Sequence, residues 1–99
     1  FLNSKNEILG IELLHEGEVN NALVQPRAVM EKAFGHNARS IIFVHKASGQ
    51  AAPSKGEKAL AQLLEAAARS IDILVHDHII VGKNSFLSAR DLGWLRPGP

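Results

Sequence analysis

The stretch Ile41-Ile42-Phe43-Val44-His45-Lys46-Ala47-Ser48-Gly49-Gln50-Ala51-Ala52-Pro53-Ser54-Lys55-Gly56-Glu57 decides how the rest of the chain is read. Its first residues, apolar and β-branched, spell a short buried strand. The polar Gly- and Pro-containing segment stops that strand, and a helix opens where it ends. Ser54 is suited to the N-cap and Glu57, three residues on, to the reciprocal half of a capping box. Strand end, loop and helix start are where α/β domains concentrate binding and catalytic groups. Strand alternation places Val44 and Lys46 on one face and His45 on the other.

Downstream, Ala59, Leu60, Leu63, Leu64 and Ala67 recur at helical spacing, which predicts a long helix over Ser54–Ser70. Ile71–Val75 reads as a strand, His76-Asp77-His78 follows, and Ile79-Ile80-Val81 reads as another strand ending at the turn Gly82–Ser85. On an uninterrupted strand His76 and His78 share a face, an H-x-H pair of a kind that binds zinc or copper. The structural alternative has Asp77 bonding loop amides and His78 packed in the interior. Upstream, Pro26 suits a first helical turn, and Val29, Met30, Ala33 and Phe34 continue a helix over Pro26–His36 that Gly35 or Asn37 closes. Arg27 sits at its entry, as an anchor for an acidic partner or as plain surface. Leu2–Leu9 has the pattern strand, polar turn, strand, with the second strand running from Ile8 to about Leu14. In all, roughly six short strands accompany two helices.

Composition narrows the class. Ninety-nine residues, 45% hydrophobic and 21% charged, make one domain able to build a single core without staples. A formal net charge of +1 gives no electrostatic case for nucleic acid. The absence of cysteine excludes disulfides and Cys-ligated zinc, and fits a reducing, cytoplasmic setting. No apolar run reaches membrane-spanning length. A phosphate loop is missing, since Lys55-Gly56 runs in the wrong order. A Ser-His-Asp triad from Ser48 or Ser54 with His78 and Asp77 fails because adjacent strand side chains diverge.

The central layout resembles the H-x-H-x₇-S-x₂-D signature of the JAMM/MPN zinc metalloproteases, and its flanks look like the bacterial RadC family, formerly described as DNA repair proteins. Members usually read H-N-H-P-S-G and then P-S-x-x-D, against Val44-His45-Lys46-Ala47-Ser48-Gly49 and Pro53-Ser54-Lys55-Gly56-Glu57 here. The likeness extends from Phe1-Leu2-Asn3-Ser4-Lys5-Asn6 through Val24-Gln25-Pro26-Arg27 and Asp77-His78-Ile79-Ile80-Val81-Gly82 to Phe86-Leu87-Ser88 and Asp91-Leu92-Gly93. It implies the α/β MPN (JAMM) fold, similar to cytidine deaminases: a mixed, mostly antiparallel β-sheet packed against two main helices. It also implies that residues 1–99 are the excised C-terminal domain of a protein whose helix-hairpin-helix region precedes them.

In active relatives two histidines and the aspartate hold zinc, the ion's water loses a proton to a glutamate, and the motif serine donates to the developing oxyanion. Carried onto this chain without a gap, the ligand positions are Val44, Lys46 and Glu57. Ser54 is the oxyanion donor, and the general base is Glu12, with Glu16 as the alternative. Valine has no lone pair and a lysine ammonium has no acceptor, so no metal is expected. Glu12 has a plainer reading as a surface carboxylate, and Ser54 and Glu57 one as ordinary helix initiation. His45 joins the site only if a bulge or a one-residue slip turns it around. A Lys46–Glu57 ion pair in place of the ion is expected instead. Three functions follow in order. The first is a non-catalytic scaffold or interaction domain, with a protein partner the sequence does not name and with oligomer formation left open. The others are a zinc-dependent metallopeptidase or isopeptidase with an unusual ligand set, and a DNA-repair accessory domain that binds nucleic acid.

Overall fold

The computed structural model describes residues 1–12, 25–47 and 51–96; Glu16, the segment 17–24, Ser48-Gly49 and the tail beyond Arg96 lie outside the described residues. Five elements follow one another: α1 (Pro26–Gly35), β1 (Ser40–Lys46), α2 (Lys55–Arg69), β2 (Leu74–Val81) and β3 (Phe86–Ser88). The strands form one mixed sheet in the order β1-β2-β3. β1 and β2 run parallel with α2 as their crossover, while β2 and β3 form an antiparallel pair across the 82–85 turn. Among the described residues the parallel pairing is the longer of the two, where a mostly antiparallel sheet is the sequence expectation.

Both helices start and stop where local chemistry dictates. Pro26 occupies the first turn of α1, where its missing N–H costs nothing. The helix ends at Gly35, and Asn37 takes the left-handed conformation at φ 55°, a role asparagine fills with little strain. α2 begins on Ser54, whose Oγ accepts from the Glu57 amide at 3.2 Å. It ends in a similar left-handed residue, Asp72 at φ 59°, after which the Ile73 amide bonds back to the Ala68 carbonyl at 2.9 Å. Ile71 and Asp72 are thereby spent on helix termination, so the strand expected from Ile71 starts at Leu74 and runs unbroken to Val81. The N-terminal hairpin reduces to isolated bridges, Leu2 to Ile8 and Leu2 to Ser40. Its turn is organised by Asn3 Oδ1, which accepts from the amides of Lys5 and Glu7.

One irregularity sets the geometry of the site. Ile41 pairs with Val75 but Ile42 pairs with Asp77, so His76 is an extra residue in β2. Such a bulge reverses the facing of everything beyond it. Val75, His78 and Ile80 are therefore the buried residues of β2, and His76 turns away. His76 bonds Asn6 Oδ1 at 2.9 Å. His76 and His78 accordingly do not share a face, contrary to the expectation for an uninterrupted strand.

The core lies on one side of the sheet. Val29, Met30 and Ala33 of α1, Leu60, Leu64 and Ala68 of α2, and Ile41, Phe43 and Val75 of the strands form its main cluster. Ala61, Ile80, Ala89 and Trp94 form a second. The opposite face carries Ile42, Val44 and Lys46 on β1, Ile79 and Val81 on β2, and Phe86 on β3. Val44 is 63% and Phe86 67% exposed.

Candidate functional site: a Glu57–His45–His78 cluster

Beyond Ser40, the buried positions of β1 are Ile41 and Phe43, and half-buried His45 continues their row. Its imidazole therefore points to the helix side, under the first turn of α2. There His45 Nε2 lies 3.3 Å from Glu57 Oε1, and His45 Nδ1 lies 3.2 Å from His78 Nε2. The two rings meet nearly edge to face, with centroids 5.3 Å apart and planes at 83°. Phe43 also packs against His78, 5.9 Å between ring centroids. Because a bulge precedes it in β2, His78 falls on the same inner face as His45. No such irregularity is needed in β1.

Electrostatics follow from this enclosure. His78 is 2% exposed. Burial, with the neighbouring His45 second, pushes its pKa down to about 4 against a smaller opposing pull from Asp77. The ring is thus neutral at physiological pH. His78 Nδ1 and Glu57 Oε2 are buried without a hydrogen-bond partner among the described residues.

Other positions singled out by the sequence are not brought to this cluster. Val44 and Lys46 lie on the exposed outer face. The expected Lys46–Glu57 ion pair is not among the ion pairs of the described residues, and His45 is the residue that Glu57 meets. The capping box is half made: Ser54 caps the Glu57 amide, while the Glu57 carboxylate turns to His45. Glu12 is held elsewhere, by His36 Nε2 at 3.0 Å and Lys32 Nζ at 3.6 Å near the end of α1. The His36 hydrogen bond, aided by Lys32, lowers its pKa. Arg27 pairs with Glu31 on the exposed side of α1. Asp77 accepts from its neighbour's amide His78 N at 2.7 Å, from Arg90 N at 3.0 Å and from the Ser88 hydroxyl. These contacts tie the bulge to the turn after β3.

The facing of His45 admits a second alignment of the motif. A gap-free match fixes Ser48-Gly49 on the family's S-G and puts Val44 and Lys46 at the histidines. A match with one residue fewer before Ser48 would put His45 at the first histidine and Ala47 at the second, and only that match is consistent with His45 being the residue that meets Glu57. Ala47 offers no donor atom, and its side chain packs against the second core cluster. The sequence signal for the shortened match is the single histidine itself, one place off a register that two small residues fix.

Zinc can be tested against these donors. His45 Nε2 and Glu57 Oε1 are spaced as two ligands of one ion would be, but His78 approaches the opposite ring nitrogen of His45. The three donors therefore do not converge on one point. No group of three or more His, Cys, Asp or Glu residues able to hold a metal occurs among the described residues. A catalytic zinc needs three protein ligands and an open position, and this set does not fit it. A shallow cleft lies towards the other end of α2, between Gln62, Glu65, Arg69 and Trp94. Its nearest lining residue on α2, Gln62, is about 7.5 Å along the helix axis from Glu57 at 1.5 Å per residue, and none of its lining residues belongs to the cluster.

Comparison with known proteins agrees with the resemblance. The sequence profile of the RadC-like JAB domain matches residues 1–94. A UPF0758 protein of Pseudomonas fluorescens (strain SBW25) is 41% identical over 96 residues, which are 96% of this chain and 43% of that protein. UPF0758 proteins of Azotobacter vinelandii and Nitrosococcus oceani are 41% and 40% identical over the same shares. The chain spans less than half the length of these relatives. It belongs to the RadC family, whose JAB domain accounts for nearly all of its residues.

Proposed function

We propose that this domain serves as a non-catalytic scaffold or interaction module of the RadC family. The carrying observation is the donor set. His45 and Glu57 remain, the second histidine position is held by donor-free Ala47, and Val44 and Lys46 face the other side of the sheet. Two ligands do not hold zinc against water, and without the ion no activated water forms. Among the described residues the exposed apolar row Ile42, Val44, Val81 and Phe86 supports an interaction role, since contiguous exposed apolar surface commonly marks contact sites. A balanced charge, +1 overall, gives no support to the nucleic-acid reading.

The test is elemental analysis of protein purified without a histidine tag, coupled to a peptidase and isopeptidase assay with and without added zinc. Substoichiometric zinc and no hydrolysis are expected. Stoichiometric zinc with turnover would establish the hydrolase reading instead. A variant with Ala47→His and one residue inserted after position 47, keeping Glu57, is expected to gain zinc, because it supplies the missing third donor at the family spacing.

A further inference from the structure

We infer that a directional hydrogen-bond chain, His78 to His45 to Glu57, takes over the cross-linking that an ion would provide between the strand tip and the first turn of α2. The inference rests on the reading that this site does not take zinc. A carboxylate at neutral pH only accepts, so the proton of the 3.3 Å contact sits on His45 Nε2. An imidazole carrying a single proton there presents a bare Nδ1. The 3.2 Å contact to it is a bond only if His78 Nε2 carries hydrogen. That leaves His78 Nδ1 as a lone pair, in agreement with its lack of a partner among the described residues. The reverse sense, a doubly protonated His45 donating from both nitrogens, would strand a buried N–H at His78 Nδ1 beside Phe43, the rarer kind of orphan.

The chain joins three elements: β2 through His78, β1 through His45 and α2 through Glu57. It also gives a reason for glutamate rather than aspartate at position 57. The additional methylene carries the carboxylate from the helix turn to the His45 ring, whereas an aspartate would stop short of it.

Nitrogen-15 NMR of the histidine rings of the unaltered protein at neutral pH is the test. Expected are a protonated Nε2 and bare Nδ1 on both His45 and His78, unchanged by an equivalent of zinc. In Glu57→Asp, His45 is expected to become a tautomer mixture, its two nitrogens moving towards a common intermediate shift, while His78 stays buried and folded. A bare Nε2 on His45 or His78 without zinc would overturn the chain but leave the non-catalytic reading standing. Zinc-induced shifts at His45 with saturation at one equivalent would overturn both. A Glu57→Asp protein with unchanged His45 tautomer would show that the carboxylate does not set it, and the inference would fail.

Discussion

At the scale of a residue, His78 carries the largest electrostatic consequence in the domain. Its ring is enclosed by Phe43 and His45 and titrates near 4 when folded, against about 6.5 for an exposed histidine. Between these values the unfolded chain binds a proton that the folded one refuses. Stability therefore rises with pH through this window, is fully present above about 6.5 and is lost progressively as pH falls towards 4. Integrated over the window, the loss attributable to this residue is on the order of 3 kcal/mol. Urea unfolding followed between these limits measures it. His78→Gln, which keeps a donor towards His45 but does not titrate, is expected to flatten that part of the profile. An unchanged slope in the variant would assign the dependence to other groups.

Elements show which parts of the fold could be read in advance and which could not. α2 was legible end to end because its signals are local: a serine cap, an apolar stripe and a polar stop. α1 was legible for the same reason, with Pro26 at its start and Asn37 just past its end. β1 was legible as a strand, yet the role of its faces was not. Ile41 and Phe43 alternate with Ile42 and Val44, all apolar, so the pattern is silent on which row turns inward. The placement of His45 was hidden by that ambiguity. The bulge at His76 was equally hidden, since it exists only in the pairing of two strands over thirty residues apart in sequence. Asp77 is what secures it, by gathering the Ser88 hydroxyl and the Arg90 and His78 amides on one carboxylate. Asp77→Asn keeps an oxygen for the two amides but removes the charge and forces the Ser88 hydroxyl to accept rather than donate, and is expected to cost about 2 kcal/mol, the scale of hydrogen bonds to a charged group. His76→Ala, at the bulge but outside this network, is expected to stay within about 0.5 kcal/mol. Denaturant midpoints of the two variants decide whether the carboxylate or the extra residue holds the bulge.

For the molecule as a whole, the sheet divides a packed side from one that is open among the described residues, and His45 and Val44 lie on opposite sides of that division. Leu64 and Ile80 lie fully enclosed between helix and sheet, where truncation leaves a cavity that neighbours fill only in part. Val44, equally apolar, sits on the open face at 63% exposure and has little burial to lose. Leu64→Ala is therefore expected to destabilise by about 2–5 kcal/mol, and Val44→Ala by no more than about 0.5 kcal/mol in the isolated domain. The contrast tests the facing of β1 directly, because a strand turned by one residue would bring Val44 inside and make its truncation costly. It would also move His45 out from under α2, and Glu57 would then lose its partner. A small effect at Val44 together with a large one at Leu64 thus supports the same geometry on which the polar cluster depends. A loss of more than about 2 kcal/mol at Val44, the range of a core truncation, would return that position to the interior and with it the gap-free alignment of the motif.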